Sequence, residues 1–139
     1  MAVTWEDVQR ILETTKTIAV VGLSDKPDRD SYQVAAYLQQ QGYRIIPINP
    51  RAKEVLGEKA YASLRELSEP VEVVQIFRRA EEVLPIVDDA IAVGAKVVWM
   101  QSGIVNEDAA ARAEAAGLKV IMDACMRSAH RTLRAAGRI

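Results

Sequence analysis

The segment Gly22-Leu-Ser-Asp-Lys-Pro-Asp-Arg-Asp-Ser31 follows a short apolar run and precedes a helical pattern. That is where an α/β chain receives phosphates. A dinucleotide turn needs G-x-G-x-x-G, so that backbone approaches the pyrophosphate and helix presses on strand. Only Gly22 is present; Ser24 and Pro27 occupy the other two glycine positions, and the loop is longer than a tight NAD turn. NAD or FAD binding in the usual manner is therefore disfavoured. The loop still suits an anion. Ser24 offers a hydroxyl, Lys26 and Arg29 offer charge, and Ser31 stands at a predicted helix N-terminus with free N–H groups. A second reading stands beside this one: Asp25, Asp28 and Asp30 offset the two cations, as in a solvated loop.

The second loop, Ile48-Asn49-Pro50-Arg51-Ala52-Lys53, says more. NAD folds place an acid at the end of the second strand to accept from the ribose hydroxyls. This chain has neutral Asn49 there, then Arg51 and Lys53, and no acid before Glu54. Such a rim attracts a ribose that carries a phosphate, as in NADP or coenzyme A. The competing reading makes Arg51 and Lys53 ordinary surface charges on a turn begun by Asn49-Pro50. In the third loop, Ile76 and Phe77, the chain's single phenylalanine, can flank an adenine or serve as core, and Arg78 and Arg79 add charge. In the fourth, Gln101 can donate and accept, and Ser102-Gly103 permits close backbone approach.

Catalytic equipment is sparse. His130, the single histidine, has no carboxylate three or four positions away and reads as a surface bystander. Cys125 follows the fifth apolar run. Its neighbours Val120, Ile121, Met122 and Met126 predict an inert thiol with a raised pKa, although Arg127 is close in sequence. One His and one Cys cannot build a zinc centre, and there is neither a G-x-S-x-G elbow nor a P-loop. No catalytic residue and no metal ligand is assigned.

These loops need a scaffold, and the apolar runs provide one. Thr17–Gly22, Tyr43–Ile48, Val71–Phe77, Lys96–Met100 and Leu118–Met122 are near-continuous and β-branched, as strands buried on both faces are. Helical patterns separate them: Ser31 to about Gln41, Ala80–Val93, and Glu107–Ala116 capped by Asn106. A short helix is expected near Ser63–Leu67, a leading one over Trp5–Glu13 capped by Thr4, and a closing one over Arg127–Ala136. Alternation of this kind predicts an α/β, Rossmann-like three-layer fold: a five-stranded parallel sheet with helices on both faces. Its order is 3-2-1-4-5 or 2-1-3-4-5, and in both the ligand sits at the carboxyl ends of the strands.

Composition sets the outer bounds. The 139 residues predict one domain, 1–139. Half are hydrophobic and 27% are charged, which excludes disorder as the main state. A net charge of −1 argues against a nucleic-acid binder. One cysteine excludes an internal disulfide, and no apolar run approaches the ~20 residues of a membrane span. A cytoplasmic protein, off the membrane and free of nucleic acid, is expected.

The runs Val20-Val-Gly-Leu-Ser24, Gly42-Tyr-Arg-Ile-Ile-Pro-Ile-Asn-Pro50, Phe77-Arg-Arg79 and Val98-Trp-Met-Gln-Ser-Gly-Ile104 resemble the small stand-alone CoA-binding domain proteins. These are similar to the N-terminal domain of the succinyl-CoA synthetase α subunit. The resemblance spans about residues 17–127. It departs from the family pattern at Asp30 and Ala124. It implies the strand order 3-2-1-4-5 and coenzyme A as ligand. The CoA pyrophosphate would lie by Gly22, Ser24, Lys26, Arg29 and Ser31. The phosphorylated ribose would lie by Asn49, Arg51 and Lys53. The adenine would lie against Ile76, Phe77 and Arg78, and the pantetheine along Gln101, Ser102 and Gly103. A non-catalytic binding module for CoA or an acyl-CoA is thus expected. The alternatives are a subunit or enzyme acting on CoA thioesters, with Cys125 participating, and an NADP-binding regulatory domain.

Overall fold

A computed structural model describes residues 3–139. Five parallel strands form one sheet: β1 (Thr17–Val21), β2 (Arg44–Ile48), β5 (Val73–Ile76), β6 (Val97–Met100) and β7 (Lys119–Ile121). Five helices cover it: α1 (Trp5–Thr14), α2 (Asp30–Gln40), α3 (Val83–Ala92), α4 (Glu107–Ala115) and α5 (Met126–Ala135). The expected Rossmann-like three-layer architecture is therefore present. Alternate residues of each strand enter different cores. Ile18, Val20, Val73 and Trp99 pack under α1, α2 and α5 with Leu12, Leu38 and Leu133. Ala19, Val21, Val74 and Val98 pack under α3 and α4 with Val83, Val87 and Ala113. Both faces are closed, which explains the near-continuous apolar runs.

The strand order corrects the expectation. The sheet runs β2-β1-β5-β6-β7. Counting only its own strands, the order is 2-1-3-4-5 rather than 3-2-1-4-5. β1 lies between β2 and β5, pairing Val21 with Ile48 on one side and with Ile76 on the other. Pro47 supplies the physical reason. Its carbonyl points to the outer side of β2, where it accepts from Tyr61 N–H at 3.0 Å. Its missing N–H lies on that same side, so no full strand can pair there. The order 3-2-1-4-5 would have required one. Instead a single bridge between Ile48 and Tyr61 closes that edge. A two-stranded hairpin fills the connection, β3 (Glu54–Val55) with β4 (Glu58–Lys59), which the sequence pattern did not announce.

Several local signals act as anticipated. Thr4 caps α1 in a reciprocal capping box with Asp7. The Asn106 side chain accepts from Ala109 N–H at 2.9 Å and begins α4. The long third helix starts as a single 3-10 turn, Ala80–Glu82, before α3. Pro85 falls in the first turn of α3, where no intrahelical N–H is lost. No helix among the described residues is long and apolar enough to cross a membrane.

Candidate functional site

All the candidate loops leave the carboxyl ends of the strands, and two adjoining cavities lie across them. The outer one, about 780 Å³, is lined by Gly22, Ser24, Lys26, Arg29, Ser31, Asn49, Arg51, Phe77 and Arg78 among others. The inner one, about 540 Å³, runs from Phe77 and Arg78 past Gln101, Ser102 and Gly103 to Cys125 and Arg127. Asp30, Phe77 and Arg78 belong to both, so the cavities form one cleft.

The outer end is built from small residues and backbone. Gly22 has φ +87°, and a Cβ there would sit 2.5 Å from the Phe77 carbonyl oxygen. Only glycine brings the β1 loop this close to the end of β5. Ser24 N–H then donates to Ser31 Oγ at 3.0 Å, and Lys26 N–H to Ser24 Oγ at 3.1 Å. Ser31 is therefore not the cap of α2. The cap residue is Arg29, whose side chain bonds no helix N–H. The first turn of α2 thus opens to the cavity without a side-chain cap. Asn49 fixes the neighbouring loop: its amide donates to the Leu23 carbonyl at 2.9 Å, and its Oδ1 accepts from Arg51 N–H at 2.8 Å. Lys26, Arg29 and Arg51 make no ion pair among the described residues.

The rim of β5 differs. Arg78 pairs with Glu82, and Arg79 pairs with the same carboxylate at 3.2 Å. The hydrogen bond from Arg78 holds the Glu82 carboxyl below its ordinary pKa. Ile76 is fully buried in the core toward α3 and α4, outside both cavities. Lys53 is exposed and also lines neither cavity. Of the candidate residues, these two are not brought together with the rest.

The inner end holds a polar network that the sequence reading missed. Gln75, within β5, and Gln101, just past β6, are both buried. Gln75 Nε2 donates to Gln101 Oε1 at 3.0 Å, and Met126 N–H donates to the same oxygen at 2.9 Å. Gln75 Oε1 is buried without a partner. A glutamine inside an otherwise apolar strand was the available signal. Gln101 is thereby a brace between β5, β6 and α5. Ser102 and Gly103 remain exposed, and Gly103 N–H donates to the Asp123 carboxylate at 2.6 Å.

Cys125 is the N-cap residue of α5 and is partly buried. Burial pushes its thiol up, as expected. The backbone and hydroxyl of Ser128, the Gln101 amide and the Arg127 N–H push it down and prevail, so the net shift is downward. The expected raised pKa is corrected: the apolar neighbours in sequence, such as Val120 and Met126, are buried within the protein, while the sulfur faces donors. His130 is corrected too. It is 2% exposed, its Nδ1 lies 2.8 Å from Tyr37 Oη, and its ring meets Tyr37 and Tyr43 edge-on. It joins α5 to α2 and lies away from the cleft. Among the described residues there is no group of three His, Cys, Asp or Glu able to hold a metal ion.

The model of the CoA binding domain family matches residues 16–131. The Bacillus subtilis protein YneT, named as uncharacterized, is 44% identical over 89% of this chain and 92% of its own. A solved structure of a hypothetical protein from Pyrococcus horikoshii superposes with a TM-score of 0.93 at 41% identity, covering 96% of this chain and 94% of that one. A stretch of 60 residues is 40% identical to the α subunit of an ADP-forming acetate–CoA ligase from Pyrococcus furiosus. That stretch is 42% of this chain and 13% of the ligase subunit.

Proposed function

The chain belongs to the CoA binding domain family, and we propose that it is a coenzyme A binding module whose cleft binds CoA or an acyl-CoA without itself catalysing a reaction. One observation carries this reading. The cleft has at one end cations without an ion pair among the described residues, Lys26, Arg29 and Arg51, and at the other a smaller cavity bounded by the Ser102-Gly103 turn and Cys125. CoA has the same asymmetry, with its phosphates at one end and a thiol at the other. In this reading the pyrophosphate meets the Ser24–Lys26 turn and the open first turn of α2, where N–H groups and the helix dipole favour an anion. Arg51 takes the ribose phosphate, with Lys53 adding long-range attraction from the surface. Phe77 packs against the adenine beside the Arg78 side chain, and Ile76 supports the strand from beneath. The pantetheine then follows Ser102 and Gly103 inward. Gln101 acts by holding Cys125 and the start of α5, not by touching the ligand.

Calorimetric titration with CoA, acetyl-CoA, dephospho-CoA, NADP and NAD tests the assignment. The expected order is CoA and acetyl-CoA first, dephospho-CoA weaker, and no measurable NAD binding. NADP binding tighter than CoA would transfer the site to the regulatory-domain alternative. A thioester-processing role is favoured by one feature, the lowered Cys125 thiol on the cavity wall. Turnover of acetyl-CoA by the protein alone would select it.

A further inference from the structure

The wall of the inner cavity carries a thiol that plain binding of CoA leaves without a task. Cys125 lines this cavity together with Gln101, Arg127 and the Ser102-Gly103 turn. Burial works against its thiolate, yet the backbone and hydroxyl of Ser128, the Gln101 amide and the Arg127 N–H outweigh burial. The wall around the sulfur is held in place from behind. Gln101 is 5% exposed, and its Oε1 accepts from the wholly buried Gln75 and from Met126 N–H. Arg127 Nε, on the same wall, is shielded from solvent and has no hydrogen-bond partner. An unmet buried N–H costs free energy, which an acceptor arriving with a ligand relieves. The pantetheine arm of CoA carries amide carbonyls and ends in a thiol. Asp30 and Glu81 also line this cavity, but both are exposed and Glu81 lies 3.9 Å from Arg79. The groups that act most on the sulfur are the donors named above, not these carboxylates.

Resting on the reading above, in which the pantetheine ends in this cavity, we propose that Cys125 is a site of covalent capture, where CoA disulfide exchanges with the thiol and leaves one CoA joined to the protein through a mixed disulfide. The Cys125 thiolate attacks one sulfur of CoA disulfide. A bond forms between Sγ and that sulfur, the S–S bond of the ligand breaks, and its electron pair leaves with the second CoA as a thiolate. That thiolate takes up the proton that Cys125 gave to solvent. One disulfide is exchanged for another, and no outside oxidant is required. The exposed Ser102-Gly103 rim lets the second half of the ligand stay in solvent during the attack. Cys125 is the single cysteine of the chain, so no thiol within it can displace the bound CoA. The adduct persists until a thiol arrives from outside, and while it stands the cleft is closed to free CoA.

The test incubates the unmodified protein with CoA disulfide or with glutathione disulfide, at one low concentration near neutral pH. Mass spectrometry should find one CoA on Cys125, and chromatography one CoA thiol released for each adduct. CoA disulfide should react at least about tenfold faster than glutathione disulfide, because charge-assisted contacts at the outer end hold it for the attack. Adenosine 3′,5′-bisphosphate, which fills the outer end and carries no thiol, should slow CoA disulfide and leave glutathione disulfide unaffected. Equal rates for the two disulfides, in a protein that binds CoA by calorimetry, overturn the capture alone. No binding of CoA at all overturns the CoA reading and the capture together. A fast reaction that the bisphosphate does not slow shows a reactive thiol without recognition, and also overturns the capture.

Discussion

The two ends of the cleft solve the problem of polarity in opposite ways. At the β1–β2 end the neutral polar groups, Ser24, Ser31 and Asn49, are spent on fixing the loops. The cations Lys26, Arg29 and Arg51 are left without an ion pair among the described residues. At the β5–β6 end the exposed cations Arg78 and Arg79 are paired, both with Glu82 and Arg79 with Glu81 as well. There the polar work falls to buried amides, Gln75 and Gln101, acting on Cys125 and Met126. An exposed charge recognises a phosphate at small desolvation cost but is weakened by salt. A buried dipole cannot be screened, and it sets the state of one atom rather than attracting a ligand. The outer end is therefore suited to capture, and the inner end to holding a reactive group steady.

The largest effect should come from the residue on which the outer end depends. Gly22→Ala adds a Cβ 2.5 Å from the Phe77 carbonyl oxygen at a φ of +87°. Strain and overlap together should cost about 3 kcal/mol of stability, read as a lowered urea midpoint. A midpoint unchanged from the parent would mean that the β1 loop and the end of β5 separate freely, and the contrast between a fixed and a yielding end would fail.

Next in size is Ser24→Asp, which puts a carboxylate in the turn assigned to the pyrophosphate. Like charges in contact cost several kcal/mol, so CoA affinity should fall at least about a hundredfold while the folded signal persists. A folded variant that binds CoA normally would move the anion site out of this loop. Arg51→Ala should be milder. It should weaken CoA binding roughly tenfold and leave dephospho-CoA almost unaffected, with the difference shrinking as salt rises. Equal losses for both ligands would detach Arg51 from the ribose phosphate.

The inner end should behave in the reverse manner. The lowered thiol of Cys125 predicts faster labelling by an alkylating reagent near pH 7 than an ordinary cysteine shows, with little dependence on salt. CoA should slow the labelling by occupying the cavity. Replacing Gln101 by Leu removes one donor to the sulfur and should slow labelling in the absence of CoA. Cys125→Ser should hold CoA within a few-fold of the parent, because the phosphates supply most of the binding in this reading. Labelling unaffected by CoA would separate the cavity that Cys125 lines from the one that CoA fills.

Much of this arrangement was legible in the residues, and the exceptions have physical reasons. The five strands were readable because both faces of the sheet are buried, which leaves apolar runs of a type that single-faced strands lack. Their order does not follow the resemblance, because the missing donor of Pro47 marks β2 as an edge with no full strand beyond it. The outer loops could be read because their cations and small residues are local in sequence. The inner network could not, because Gln75 and Gln101 are 26 residues apart and meet only through the parallel β5–β6 register. His130 reads as a surface residue because α5 carries three arginines, Arg127, Arg131 and Arg134, with Arg138 just beyond it. Yet Met126, Ala129, His130 and Leu133 fall at helical spacing on one buried face.

That same histidine provides the smallest expected effect and a link between the two ends. α2 starts at the outer cavity with Asp30 and Ser31, and α5 starts at the inner cavity with Met126 and Arg127. The Tyr37–His130 hydrogen bond ties the two helices together further along. Burial, helped by the Arg134 charge, holds the imidazole below its ordinary pKa, so it is neutral in the folded protein. Tyr43 beside it is pushed up to about 12 by burial and stays neutral as well, and Arg131 lies over the far ring of Tyr37. Among the described residues no carboxylate is paired with the imidazole to welcome a proton. In the unfolded chain His130 titrates near the ordinary imidazole value of about 6.5. Above that pH both states are neutral there, and the full contribution to stability is present. As pH falls below it, the unfolded state binds a proton that the folded state refuses. Stability therefore drops until the folded pKa is passed. Urea midpoints at pH 7.5 and pH 5.5 should differ more for the parent than for His130→Phe, which carries no titrating group. Equal differences would show that the imidazole takes up its proton in place, and that the tie between the two helices is indifferent to pH.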